Sequence, residues 1–132
     1  MQDFVHLHVH TQYSILDGQA SIPRLVDKAM ANGMRGIAVT DHGDMFGIKE
    51  FFNYVNKKNG GTNGEIKDLK KRIAALESGK EESESPEAEI AACKEQLEAA
   101  KKKLFKPIFG CEMYVARRRL EDKEGKPDQS GY

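Results

Sequence analysis

Residues 36–40 read Gly-Ile-Ala-Val-Thr, a short apolar run with an amphipathic helical pattern on either side. A run of this length and composition, bounded by a helix stop and a loop, is the pattern of a strand buried on both faces. The chain before it carries Ser21 as a candidate N-cap, Pro23 in the first turn and a core-facing stripe of Ile22, Leu25, Val26, Ala29 and Met30. Asn32-Gly33 stops that helix. The chain after it repeats the pattern from about Gly47 to Lys58, with Ile48, Phe51, Phe52 and Val55 on one stripe. Two more strands complete the alternation. Residues 4–10 alternate, with Val5, Leu7 and Val9 on one face and Phe4, His6, His8 and His10 on the other. Residues 107–115 read as the last strand, with Glu112 inside it. The order β-α-β-α-insert-β implies parallel strands and right-handed crossovers. Functional residues of such folds gather at the carboxyl ends of the strands. His10, Asp41 and His42 fall at such ends.

Residues 62–104 differ from the rest. Thr62-x-x-Glu65 reads as a capping box, and Ile66, Leu69, Ile73 and Leu76 follow at 3-4-3 spacing. After a polar stretch, residues 77–85, a second helix starts at Pro86, with Ile90, Cys93, Leu97, Ala100 and Leu104 at 3-4-3-4 spacing. Two such seams joined by a loop that can bury nothing predict an antiparallel helical hairpin with a mobile tip. The hairpin reads as a partner-binding arm or as a tolerated surface insertion.

The balance of 21 Lys and Arg against 21 Asp and Glu leaves no global basic field for nucleic acid, so any contact with DNA has to be local or come from a larger parent protein. Cys93 and Cys111 form no disulfide framework and read as unreactive thiols. No stretch is apolar enough to span a bilayer, and the first residues lack the parts of a signal peptide, so the expected location is the cytoplasm. Arg117-Arg118-Arg119 is a short basic run at an expected strand end. The segment 121–132 is polar.

Chemistry is concentrated in the histidines. Of the four, three are His6, His8 and His10, and the fourth is His42, directly after the buried run. Two imidazoles in His-x-His share one strand face, roughly 7 Å apart along the chain, and can converge on one ion or on neighbouring ions. Imidazole and carboxylate together suit Zn²⁺, Mn²⁺ and Fe²⁺. His8, His10 and His42 are therefore read as metal ligands. His6 shares the face but sits deeper, with a structural or ligand-supporting role. Asp41 is expected to orient His42 or to cap the following loop. Glu112 alone reads equally as a ligand or as a buried ion-pair partner, and Asp17 alone as a turn residue. Either could add an oxygen bridging two ions. No Gly-x-Ser-x-Gly elbow, Walker loop or Gly-x-Gly-x-x-Gly is present.

The stretch Phe4-Val5-His6-Leu7-His8-Val9-His10-Thr11-x-Tyr13-Ser14-x-Leu16-Asp17-Gly18, with Gly36 to Gly43 and Phe109 to Val115, resembles the PHP (polymerase and histidinol phosphatase) domain. The variant is similar to the one at the N-terminus of bacterial replicative DNA polymerase III α subunits. The resemblance implies a distorted (β/α)7 TIM-like barrel with up to three divalent metal ions. It makes His8 and His10 the paired first-strand ligands, Asp17 the loop ligand, His42 the ligand after the second strand and Glu112 a bridging carboxylate. The family's later His, Cys and Asp-x-His ligands are absent from this sequence. Residues 1–132 are therefore expected to be a partial domain, the first half of the barrel, with 62–104 as an inserted hairpin.

The implied activity of the intact domain is metal-dependent phosphoester hydrolysis, as a 3′–5′ exonuclease or pyrophosphatase in a DNA-directed DNA polymerase. DNA and replisome subunits would be partners through that parent protein. The alternatives are a non-catalytic, metal-stabilised platform for other replisome subunits and a free-standing phosphatase. The half-domain itself is expected to be inactive and, with an open strand edge, to self-associate.

Overall fold

The computed structural model of the chain describes residues 4–80 and 85–115. The centre of the expected hairpin tip, the Arg117-Arg118-Arg119 run and the polar segment 121–132 lie outside the described residues. The order of elements is α1 (Ile22–Ala31), β1 (Gly36–His42), α2 (Ile48–Lys58), α3 (Gly60–Glu77), α4 (Pro86–Lys103) and β2 (Lys106–Glu112).

β1 and β2 pair in parallel, from Gly36 opposite Lys106 to His42 opposite Glu112. The two strands end in step, so His42 and Glu112 stand side by side at the carboxyl edge. Gly36, Ile37, Ala38 and Val39 are buried, as their apolar run requires. The core is built on that strand. Ile37 and Val39 meet Ile22, Val26 and Ala29 of α1, Phe51 and Val55 of α2, and Phe105. Burial of these side chains is the main force holding both helices to the sheet.

α1 ends as its sequence dictates. Gly33 sits at φ 74°, where a side chain would be strained. The Met34 N–H reaches the Ala29 carbonyl and the Gly33 N–H reaches that of Met30, both at 3.0 Å, which is a Schellman closure. The start of the helix differs from expectation. Ser21 occupies the N-cap position but its side chain caps nothing. The Ile22 N–H is accepted instead by the Gln12 side-chain oxygen at 3.1 Å, tying the helix to the loop that follows residue 10.

The alternating segment 4–10 is not a regular strand. It runs along the free edge of β1 but only two backbone bonds join them: the Ala38 N–H to the His6 carbonyl and the Thr40 N–H to the Val9 carbonyl. The step is two residues on β1 and three on the partner, so one extra residue bulges out. Between them the Val9 N–H is taken by the Thr40 hydroxyl at 2.9 Å rather than by a carbonyl. The bulge breaks the expected alternation, and Leu7, placed on the apolar face by its spacing, is 66% exposed.

α3 starts two residues before the expected box, with Asn59 as the single residue between it and α2. Thr62 lies inside the helix. The Asn59 carboxamide caps neither helix because it is committed elsewhere. Its Nδ2 donates to the Phe105 carbonyl at 2.8 Å and its Oδ1 accepts the Phe105 N–H at 3.0 Å. This buried clamp joins the start of α3 to the end of α4. Between those ends the two helices pack on each other with Ile73, Leu76, Cys93 and Ala100 buried and Ile66, Leu69, Ile90 and Leu97 half-buried, in agreement with the seam spacing. Asn59→Ala leaves both Phe105 backbone groups without partners. The expected cost is about 2 kcal/mol of stability, read as a lower urea midpoint at unchanged m-value.

Candidate metal centre

The loop 11–20 is set by a buried carboxylate. Asp41, 1% exposed, accepts the Thr11 N–H at 2.6 Å and the Thr11 hydroxyl at 2.8 Å. It also accepts the Ser14 hydroxyl at 3.1 Å. Ser14 in turn accepts the His42 backbone N–H at 2.9 Å. Asp41 therefore organises the preceding loop, and its bonds go to Thr11 and Ser14 rather than to the His42 ring. The loop closes tightly enough that a Cβ at Gly18 would lie 1.8 Å from the Thr11 carbonyl oxygen, so only glycine fits there. At the loop's outer side the Tyr13 hydroxyl donates to Glu50 at 2.8 Å, and this bond raises the phenol above its ordinary pKa.

These constraints bring five of the sequence-derived residues together. His8 Nε2 and His10 Nε2 lie 2.8 and 2.7 Å from one oxygen of Glu112 and 3.0 Å from each other. His42 Nδ1 lies 2.8 Å from Asp17. The Asp17 oxygen is 3.9 Å from His10 Nδ1, and the other Glu112 oxygen is 4.0 Å from His42 Nδ1. The atoms fall into two groups, His8 with His10 and Glu112, and His10 with Asp17 and His42, each tight enough to hold one ion. The bond from His8 holds the Glu112 carboxyl below its usual range, with His10 and His42 adding to it against the opposing effect of burial.

The donor set fits divalent metal. Two nitrogens on one tetrahedral ion at roughly 2.0–2.1 Å lie roughly 3.3 Å apart, near the separation of His8 and His10. His10 Nδ1 is also buried without a hydrogen-bond partner, facing Asp17. An imidazole nitrogen left so is costly in a polar cluster unless its lone pair is used.

His6 stays out of the cluster. It is exposed, with its ring edge-on to Phe4 at 4.7 Å. Sequence reasoning missed Thr11, Ser14 and Tyr114. The hydroxyls carry no signal beyond turn composition. Tyr114 follows β2, and its ring lies 4.9 Å from that of His42.

The site thus defines an α/β protein with an imidazole–carboxylate cluster, able to hold metal, at the carboxyl edge of a parallel sheet. The PHP domain family model matches residues 6–129, and the chain belongs to that family. It is similar to the DNA polymerase III subunit alpha of Treponema pallidum, 56% identical over 48 residues, covering 36% of this chain and 4% of that protein. It is likewise similar to those of Aquifex aeolicus, 49% over 51 residues (39% and 4%), and Mycobacterium tuberculosis, 50% over 54 residues (41% and 5%). These matches span only about a twentieth of the length of those relatives. Among the described residues no helix is long and apolar enough to cross a membrane.

Proposed function

We propose that this chain is the N-terminal part of the PHP domain of a DNA polymerase III α subunit, and that the intact domain hydrolyses phosphoester bonds with metal bound by His8, His10, Asp17, His42 and Glu112. The observation that carries this reading is the convergence of His8 and His10 on one Glu112 oxygen, beside the second group of His10, Asp17 and His42. In this reading β1, β2 and the 4–10 segment are the first staves of a (β/α)7 barrel, and α3 and α4 form an inserted antiparallel hairpin. Up to three Zn²⁺, Mn²⁺ or Fe²⁺ ions would supply an activated water and neutralise charge on the phosphoryl group. The chain's own part is to hold these side chains in place. Glu112 stays ionised between two imidazoles, Asp17 fixes the His42 ring, and the Asp41–Ser14 network fixes the loop that carries Asp17. The reaction would serve proofreading as a 3′–5′ exonuclease, or remove pyrophosphate, within a cytoplasmic replication enzyme. DNA and other replisome subunits would be its partners.

The test is hydrolysis by the full-length polymerase of single-stranded DNA ends and of pyrophosphate, with and without His8→Ala and His10→Ala together. The expected result is a metal-dependent activity reduced roughly a hundredfold or more. Activity unchanged by the double substitution would remove the hydrolytic reading.

A non-catalytic platform is the second reading, favoured by the apolar surface beside the cluster. Ile108 and Phe109 on β2 are 38% and 44% exposed, and Phe52 of α2, placed on the core stripe by its spacing, is 44% exposed next to Phe109. The same edge should make the 132-residue chain self-associate. Light scattering should show species above the monomer mass, and a strictly monomeric chain would contradict this.

A further inference from the structure

A cleft of about 340 Å³ adjoins the Asp17–His42 side of the cluster, between the loop carrying Tyr13, Ser14, Ile15, Leu16 and Asp17 and the ring of Tyr114. We propose that this cleft is a subsite for an uncharged nucleoside, the part of a nucleotide ester that lies beyond the phosphoryl group, with its base held on Tyr114 and Leu16. The proposal rests on the phosphoester reading above for why a nucleoside would arrive there.

Three observations carry it. The first is apolar display. Ile15 and Leu16 are 90% and 91% exposed, next to one another, at the mouth of a polar cluster. Two adjacent aliphatic side chains at its mouth give the cleft an apolar rim, the lining that small-molecule sites use. The second is the aromatic wall. Tyr114 packs against the His42 ring and is 66% exposed, which puts an aromatic surface in the cleft within reach of the ligand cluster. Bases stack on such rings without regard to sequence. The third is charge. Among the described residues, Asp17 and Asp44 line the cleft, and neither lysine nor arginine does. Asp44 is no ligand of the cluster, and its carboxylate disfavours a second phosphate there, so a nucleoside fits the cleft better than the far half of pyrophosphate. The volume lies at the small end of ligand pockets, roughly 300–1,000 Å³, enough for one nucleoside and not for a peptide or a run of nucleotides.

The test uses the full chain freed of metal, with labelled adenosine as probe in equilibrium dialysis, so that neither metal nor turnover enters the readout. Wild type should bind adenosine, and inorganic pyrophosphate should not displace it. Tyr114→Ala should weaken binding about tenfold or more, and Tyr114→Phe, which keeps the ring, should stay within about twofold of wild type. Leu16→Ser supplies a second variant on the opposite wall, with binding weakened in the same direction. Circular dichroism of each variant checks that the fold is retained. Absence of adenosine binding by wild type, displacement by pyrophosphate, or equal binding by Tyr114→Ala would overturn the proposal. Failure of the polymerase to hydrolyse any ester would remove the catalytic reading and leave a positive dialysis result standing.

Discussion

Asp41→Ala is expected to lower the stability of the fold by about 3–5 kcal/mol, a large share of the roughly 5–15 kcal/mol that holds an ordinary domain together. The reason lies in what the carboxylate accepts. The Thr11 N–H, the Thr11 hydroxyl and the Ser14 hydroxyl all end on it, and Thr11 and Ser14 are 0% and 2% exposed. Alanine leaves three donors without an acceptor in a place water does not reach. The hydroxyls can turn to weaker partners, but the backbone N–H cannot. Asp41→Asn keeps the shape and one good acceptor, so about half the loss is expected. Urea denaturation of the two variants beside the parent decides it. A midpoint for Asp41→Ala equal to that of the parent would show that the network holds no stability. The loss should also reach the cluster, because Ser14 passes from Asp41 to the His42 backbone and the same loop carries Asp17.

That network was the least legible part of the sequence. Thr11 and Ser14 sit in a stretch of turn-forming residues, where hydroxyls are ordinarily solvated. Only the return of the chain past β1, 30 residues later, buries them. The elements with strong periods were legible: α1, α2, β1 and the seams of α3 and α4 each follow from apolar spacing that admits one packing face. Boundaries failed where a side chain did the work of the backbone. Thr40 takes the Val9 N–H, so residues 4–10 bulge instead of forming a ladder, and Asn59 serves Phe105, so a plausible box at Thr62 starts nothing. The stripes were too broad at their margins. Met30 and Phe52 have the right spacing, yet they fall at the edge of what two strands can cover. The ligand types could be named from pattern and resemblance. Their division into two groups sharing His10 could not, because it depends on the loop after residue 10 folding back to set Asp17 beside both His10 and His42.

His10→Ala is expected to abolish metal binding at both groups, whereas His8→Ala should empty one and Asp17→Ala the other. The difference follows from position. His10 presents Nε2 to Glu112 at 2.7 Å and Nδ1 toward Asp17 at 3.9 Å, so its ring borders both sets of donors. Its side chain is 17% exposed against 68% for His8, so water competes less for its lone pairs. A ligand on the more buried side carries more of the binding, because its replacement cannot be made good by solvent. Loss of one ligand from a three-donor group is expected to weaken that group by roughly a hundredfold. Metal analysis after dialysis at fixed free Zn²⁺ reads this directly: the parent chain highest, His8→Ala and Asp17→Ala each lower by one equivalent, and His10→Ala close to none. Equal metal content in His8→Ala and His10→Ala would mean that His10 belongs to one ion alone, and that its second nitrogen faces Asp17 only as a neighbour.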